Sequence, residues 1–210
     1  HWEFTYGADR VKELINKLKF PFLAANVTDT EWEEPVFKDI VFFERGGVKI
    51  GVIGQAFPYT PIANPRYMVP NWSFGIQEDK IRTSIKKARD GGAELVVLAS
   101  HNGFDVDRKL ASRVDGIDVI LTGHTHDAIP GVIKVKDTLL IATGSHGKFL
   151  GRLDLEVRNK KIVNYNYKLI PIFSDAIKPF SKINNIIKKV RAPYEKTLNT
   201  VLGKTESHLY

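Results

Sequence analysis

Apolar positions along the chain fall into two rhythms that take turns. Val11, Leu14, Ile15 and Leu18 recur at helical intervals between charged residues, predicting a helix over 8–19. FPFLAANV (20–27) follows as a short apolar run opened by Pro21 and predicts a buried strand. FKDIVFFE (37–44) and VKIGVIGQ (48–55) flank Arg45-Gly46-Gly47 and predict a hairpin. Residues 78–90 predict a helix that stops at Gly91-Gly92. ELVVLAS (94–100) then predicts a buried strand, DVDRKLASRV (105–114) a helix and IDVILTG (117–123) a second buried strand. Strand, helix and strand joined by short connections form the unit of a sheet covered by helices, so the fold class is α/β. KVKDTLLIAT (134–143) predicts another strand, and GRLDLEV (151–157) with KIVNYNYKL (161–169) an antiparallel pair. A lysine-rich helical pattern returns over 180–200.

One stretch keeps neither rhythm. AFPYTPIANPRYMVPNWSFG (56–75) holds four prolines and five aromatics, a density that predicts a long ordered loop with no regular element. Tyr59, Tyr67, Trp72 and Phe74 either pack beneath that loop or line a binding channel; long loops carry function more often than short ones.

Composition narrows the chemistry. The 210 residues are 43% hydrophobic and 26% charged, which suits a core-forming protein, and no apolar run approaches the ~18 residues of a membrane span. There is no cysteine. Thiolate zinc sites, iron–sulfur clusters, cysteine nucleophiles and disulfides are thereby excluded, and any metal must be held by His, Asp, Glu or Asn. The net charge of +7 owes much to Lys160, Lys161, Lys168, Lys178, Lys182, Lys188, Lys189 and Arg191. That cluster reads either as a solvated helix face or as a surface attracting an anionic partner. It lacks the interleaved aromatics of a nucleic-acid module, and neither nucleic acid nor membrane is an expected partner.

Histidine placement carries the functional signal. Ser100-His101-Asn102-Gly103 directly follows one buried strand, and Gly123-His124-Thr125-His126-Asp127 directly follows the next. Functional groups collect outside the carboxyl ends of strands in open α/β sheets. Both turns lie there one helix apart, which brings His101, His124 and His126 to one rim. Several imidazoles converging favour a metal over separate structural roles. Ser/His/Asp catalysis is disfavoured, since no serine sits in a G-x-S-x-G turn. His146, in Gly144-Ser145-His146-Gly147, follows a third strand at the same rim and reads as a turn residue or a neighbour of the ligands.

HWEFTYG (1–7), FPFLAANV, VKIGVIGQ, SHNG, GIDVILTGHTHD and GSHGKFLGRLDL, in that order, resemble the calcineurin-like metallophosphoesterases, and among them the 5′-nucleotidase branch. The resemblance implies a four-layer α/β/β/α sandwich over residues 1–175, followed by a linker helix over 176–210 toward a further domain. It implies two divalent metal ions, of which manganese is the expected one. By motif, His1, His101 and His124 would hold one ion and His126 the other. The family's Asp-x-His and Gly-Asp-x-x-Asp ligands do not occur in these residues, so the chain alone is expected to be inactive.

Where the nucleotidases carry Gly-Asn-His-Glu, with Asn a metal ligand and His assisting the leaving group, this chain has His1-Trp2-Glu3. That exchange, with the loop at 56–75, resembles the thiosulfohydrolases of bacterial sulfur oxidation. It implies release of sulfate from a cysteine S-thiosulfonate borne by a SoxYZ-like sulfur-carrier protein on a flexible arm, in the periplasm. Trp2 would wall the pocket, and Asn102 would stabilise charge on the sulfonate oxygens. A 5′-nucleotidase or cyclic-nucleotide phosphodiesterase using the same metals is the alternative enzyme. A non-catalytic binding module is the alternative of another class, and three converging imidazoles argue against it.

Overall fold

The computed structural model describes residues 1–208. A 3₁₀ turn at Trp2–Tyr6 leads into α1 (Ala8–Ile15), then β1 (Thr28–Asp29), β2 (Ile40–Arg45), β3 (Val48–Gln55) and the single turn α2 (Thr60–Ala63). Another 3₁₀ turn at Arg66–Met68 precedes β4 (Trp72–Ser73), α3 (Glu78–Asp90), β5 (Leu95–Ser100), α4 (Phe104–Arg113) and β6 (Val119–Thr122). There follow β7 (Ile133–Val135), β8 (Thr138–Ala142), β9 (Phe149–Arg158), β10 (Lys161–Pro171), α5 (Ser181–Arg191) and α6 (Glu195–Leu198). These form two compact units, the first spanning His1–Pro171 and the second beginning at Ile172. In the second, α5 sets Ile183, Ile186, Ile187 and Val190 at helical spacing among lysines.

A six-stranded sheet in the order β2-β3-β5-β6-β8-β7 organises the first unit. Strands β3, β5, β6 and β8 are parallel, and the edge strands β2 and β7 run antiparallel to their neighbours. Alternate residues face opposite sides of a strand. Ile53, Val96, Leu98, Ile120 and Leu140 point one way and pack with Ile81, Ile85 and Ala88 of α3 and with Leu110 and Ala111 of α4. On the other side, Ala99, Leu121 and Ile141 share a groove with Phe149 and Leu150 of β9. A second core gathers Phe4, Val11, Val27, Val69 and Trp72, joining the start of the chain to the proline-rich loop.

The expected hairpin forms as β2 and β3 around Gly46-Gly47, and β3-α3-β5-α4-β6 supplies the parallel units. Three expectations are corrected. FPFLAANV is not a strand: only Leu23 forms a bridge, to Lys38. Backbone bonds from Ala24 to Lys38 (3.0 Å) and from Ala25 to Gly54 (2.8 Å) tie it down, and the side chain of Asn26 adds to them, accepting from Ala56 N at 2.8 Å and donating to the carbonyls of Ala56 at 2.9 Å and Gly75 at 2.7 Å. The stretch 56–75 is not free of regular structure. Pro61 sits in the first turn of α2, where its missing N–H costs nothing, and β4 pairs with β1. Trp72 and Phe74 pack in the second core while Tyr59 and Tyr67 are exposed. Finally, 134–143 is two strands, because Lys136 adopts φ 52° and reverses the chain between β7 and β8.

Gly54 of β3 explains how the irregular 20–27 segment reaches the sheet. A Cβ at this position would lie 2.3 Å from Leu23 Cβ and 2.4 Å from the Leu23 carbonyl oxygen. Backbone meets backbone there, and neither partner can rotate away. Gly54→Ala is therefore expected to lower stability by roughly 3 kcal/mol, the upper end of overpacking costs. A urea-denaturation midpoint unchanged from the parent would refute that close approach.

Candidate metal centre

The carboxyl ends of β3, β5, β6 and β8 open toward one rim. His101 follows β5, and its backbone N–H donates to the carbonyl of Gln55 at the end of β3 (2.9 Å). His124 follows β6 after Gly123 and takes φ 79°; His126 takes φ 61°. Non-glycine residues in the left-handed region typically cost 1–3 kcal/mol and persist only where surroundings impose them. The imposing contacts are visible. Gly103, at φ 100°, brings the first turn so close to the second that a Cβ would lie 2.9 Å from Thr125 Cγ2. The Phe104 N–H donates to Thr125 Oγ1 at 3.0 Å, locking one turn to the other. His1 reaches the same place from the first 3₁₀ turn, which Thr5 holds through Asn64 (3.0 Å), whose amide in turn donates to the His1 carbonyl (3.3 Å).

His1, His101 and His124 thus converge. Nδ1 of His1 is 3.2 Å from Nε2 of His101, and one ring nitrogen from each of the three lies within 4.8 Å of the others. His124 Nδ1 is buried with no hydrogen-bond partner. Burial first of all, with His124 adding to it, pushes His101 down to about 4. Burial likewise lowers His124. Imidazoles crowded together with an unused buried nitrogen are a donor set that fits a divalent transition metal.

The remaining expected residues lie around this group. Trp2 stacks on His1 with centroids 5.5 Å apart and is 76% exposed. His126 is exposed and is not one of the converging three; its ring lies 5.3 Å from that of His146. Asn102 is buried; its Nδ2 donates to Asp107 at 2.9 Å, and its Oδ1 has no partner. Two residues that sequence reasoning missed touch the site. Phe57, 8% exposed, stacks on His124 at 3.8 Å and 24°, and its ring is 5.0 Å from His1 and 6.1 Å from His101. It brings the aromatic loop against the centre, where the sequence suggested only packing or a channel. Asp107, on α4, accepts from both histidine-bearing segments.

Comparison with known proteins places the fold. The first relative is structural: the sulfate thiohydrolase SoxB of Thermus thermophilus superposes on 93% of the chain with a TM-score of 0.89 and 34% identity, over 36% of its own length. A 5′-nucleotidase precursor from the same species matches 96% of the chain at TM-score 0.83 and 21% identity. The fold is that of the calcineurin-like metallophosphoesterases. Within that fold the relatives lie in the 5′-nucleotidase branch. A 2′,3′-cyclic-nucleotide 2′-phosphodiesterase/3′-nucleotidase of Salmonella typhimurium is 26% identical across 99% of the chain and 38% of its own length. The rat 5′-nucleotidase is 23% identical across 99% of the chain and 40% of its length. No family model matches the chain. The chain spans less than half the length of these relatives.

The low value at His101 has a consequence for folding. An ordinary histidine titrates near 6.5. With the folded-state value at about 4, the unfolded chain binds the extra proton across the interval between them. Stability of the metal-free protein is then full above the unfolded value and falls as pH drops from about 6.5 toward 4. Urea midpoints measured across that range should decline, and His101→Gln should flatten the decline. An equal slope in the variant would show that another group carries it.

Proposed function

We propose that this chain forms part of a metal-dependent hydrolase that releases sulfate from a cysteine S-thiosulfonate on a carrier protein, acting in the periplasm. The observation that carries the reading is His1-Trp2 at the mouth of the centre, where the nucleotidases resembled here have Asn-His. The greater likeness to the sulfate thiohydrolase SoxB (34% identity) than to the 5′-nucleotidase precursor (21%) supports it.

His1, His101 and His124 are the residues that would hold one divalent ion, and His126 a second. A bound divalent cation supplies Lewis acidity and activates water for attack at neutral pH. Three imidazoles by themselves do not select manganese, which favours oxygen donors, so that expected choice depends on ligands other than these three.

The chain's own residues contribute the rest. Burial keeps His101 unprotonated and available as a donor. Phe57 seals the face of His124 away from water. Asn102 keeps one amide N–H beyond its bond to Asp107, a donor for a sulfonate oxygen. Trp2 has no transferable proton near neutrality, and the reaction needs none from it. Water oxygen bonds to the sulfone sulfur as the sulfur–sulfur bond breaks. The bonding pair leaves on the sulfane sulfur, and the two protons of the water pass to the persulfide and to solvent, giving a cysteine persulfide and sulfate. A persulfide is a far better leaving group than the alkoxide of a nucleotide, which benefits from an acid at the position of Trp2.

The intact protein loaded with manganese should release sulfate from a peptide bearing cysteine S-thiosulfonate and little phosphate from AMP. Trp2→His should lower sulfate release and raise phosphate release. Phosphate without sulfate from the parent would return the chain to the nucleotidases.

A further inference from the structure

Asp107 is buried completely, and its recorded hydrogen-bond partners are neutral. Oδ1 accepts from Ser100 Oγ at 2.8 Å and from Asn102 Nδ2 at 2.9 Å, while Oδ2 accepts from Thr122 Oγ1 at 2.5 Å. A carboxylate taken out of water without a cation is expensive, and burial pushes its pKa up while the three bonds pull it down. In the first turn of α4 an acidic residue can serve the helix from the surface, exposed, as Asp105 does. Burial at 107 calls for another account, and the partners provide it. Ser100 and Asn102 flank His101 on either side. Thr122 is the last residue of β6, two before His124. One carboxylate therefore grips both segments that deliver imidazoles, and Ser100 Oγ also accepts from the Asn102 N–H at 3.1 Å, closing the first turn on itself.

We propose that Asp107 is a positioning residue for the three-histidine centre, holding the turns of His101 and His124 at the separation a divalent cation requires through its bonds to Ser100, Asn102 and Thr122. The proposal rests on the reading that these histidines bind metal. It does not depend on which substrate the metal serves.

The test uses the intact protein stripped of metal and titrated with cobalt(II), followed by visible absorption, with the Tm of the metal-free form measured alongside. Asp107→Ala should weaken cobalt binding by about ten- to a hundred-fold, the usual loss on removing a group that orients ligands. Asp107→Asn should recover most of that affinity. Its oxygen can still accept from Ser100 and Asn102, and its amide can donate to Thr122 Oγ1. Thr122→Val, nearly isosteric, should loosen only the His124 side and weaken binding while the metal-free Tm moves by a few degrees. Should Asp107→Ala fail to fold, Thr122→Val and Asp107→Asn decide the matter. Variants that lower Tm but bind cobalt as tightly as the parent would overturn the positioning role, leaving Asp107 a structural residue. His124→Ala separates the two layers of the argument. If it too binds cobalt like the parent, the metal reading falls, and the positioning role with it.

Discussion

Two turns that must come together carry histidines, and each leaves a different strand; what keeps them in register is one carboxylate group beneath them. Asp107 takes hydrogen bonds from the end of β5, from the turn after it and from the end of β6. Above it, Gly103 lets Thr125 approach, and the Phe104 N–H ties down Thr125 Oγ1. Hydrogen bonds within a low-dielectric interior are strong when satisfied and costly when broken, so such a network specifies one arrangement sharply. The rim of the sheet is consequently a stiff platform, and the mobile part of the chemistry is left to whatever approaches it.

The second constraint comes from the aromatic segment. Phe57 lies flat on His124, at the point where β3 gives way to the loop. The same strand end supplies the Gln55 carbonyl that receives the His101 N–H. The exit of β3 thus touches both histidine turns, through Gln55 at its last position and Phe57 two residues on. The loop beyond is anchored from within by Trp72 and Phe74 and shows Tyr59 and Tyr67 outward, an inner half that packs and an outer half that faces solvent.

Much of this architecture can be read from residue pattern. Parallel strands β5 and β6 announce themselves as apolar runs because α3 and α4 pack on one face and residues of β9 lie against the other, and Gly46-Gly47 marks the two-residue turn that joins β2 to β3. The location of His101 and His124 at neighbouring strand ends is legible for the same reason. What escapes is tertiary in origin. No local pattern says that Asn26 will pair with backbone through its side chain, or that Leu23 will lie against Gly54. Lys136 has none of the glycine or asparagine character that signals a left-handed turn, so the break between β7 and β8 is invisible. Asp107 in sequence looks like any acidic residue near a helix start, and Phe57 looks like loop packing. Each acquires meaning only from partners that the folded chain brings to it.

The left-handed backbone at His124 and His126 has a further implication, for how the protein would respond to selection. Glycine or asparagine at either position would relax the main chain and raise thermal tolerance, at the expense of an imidazole. Stability and the placing of an imidazole are thus opposed at two specific residues. A laboratory evolution campaign that rewards heat resistance alone, in chelator, should drift toward glycine at 124 and 126. Robustness and chemistry would have to be selected together for the site to survive.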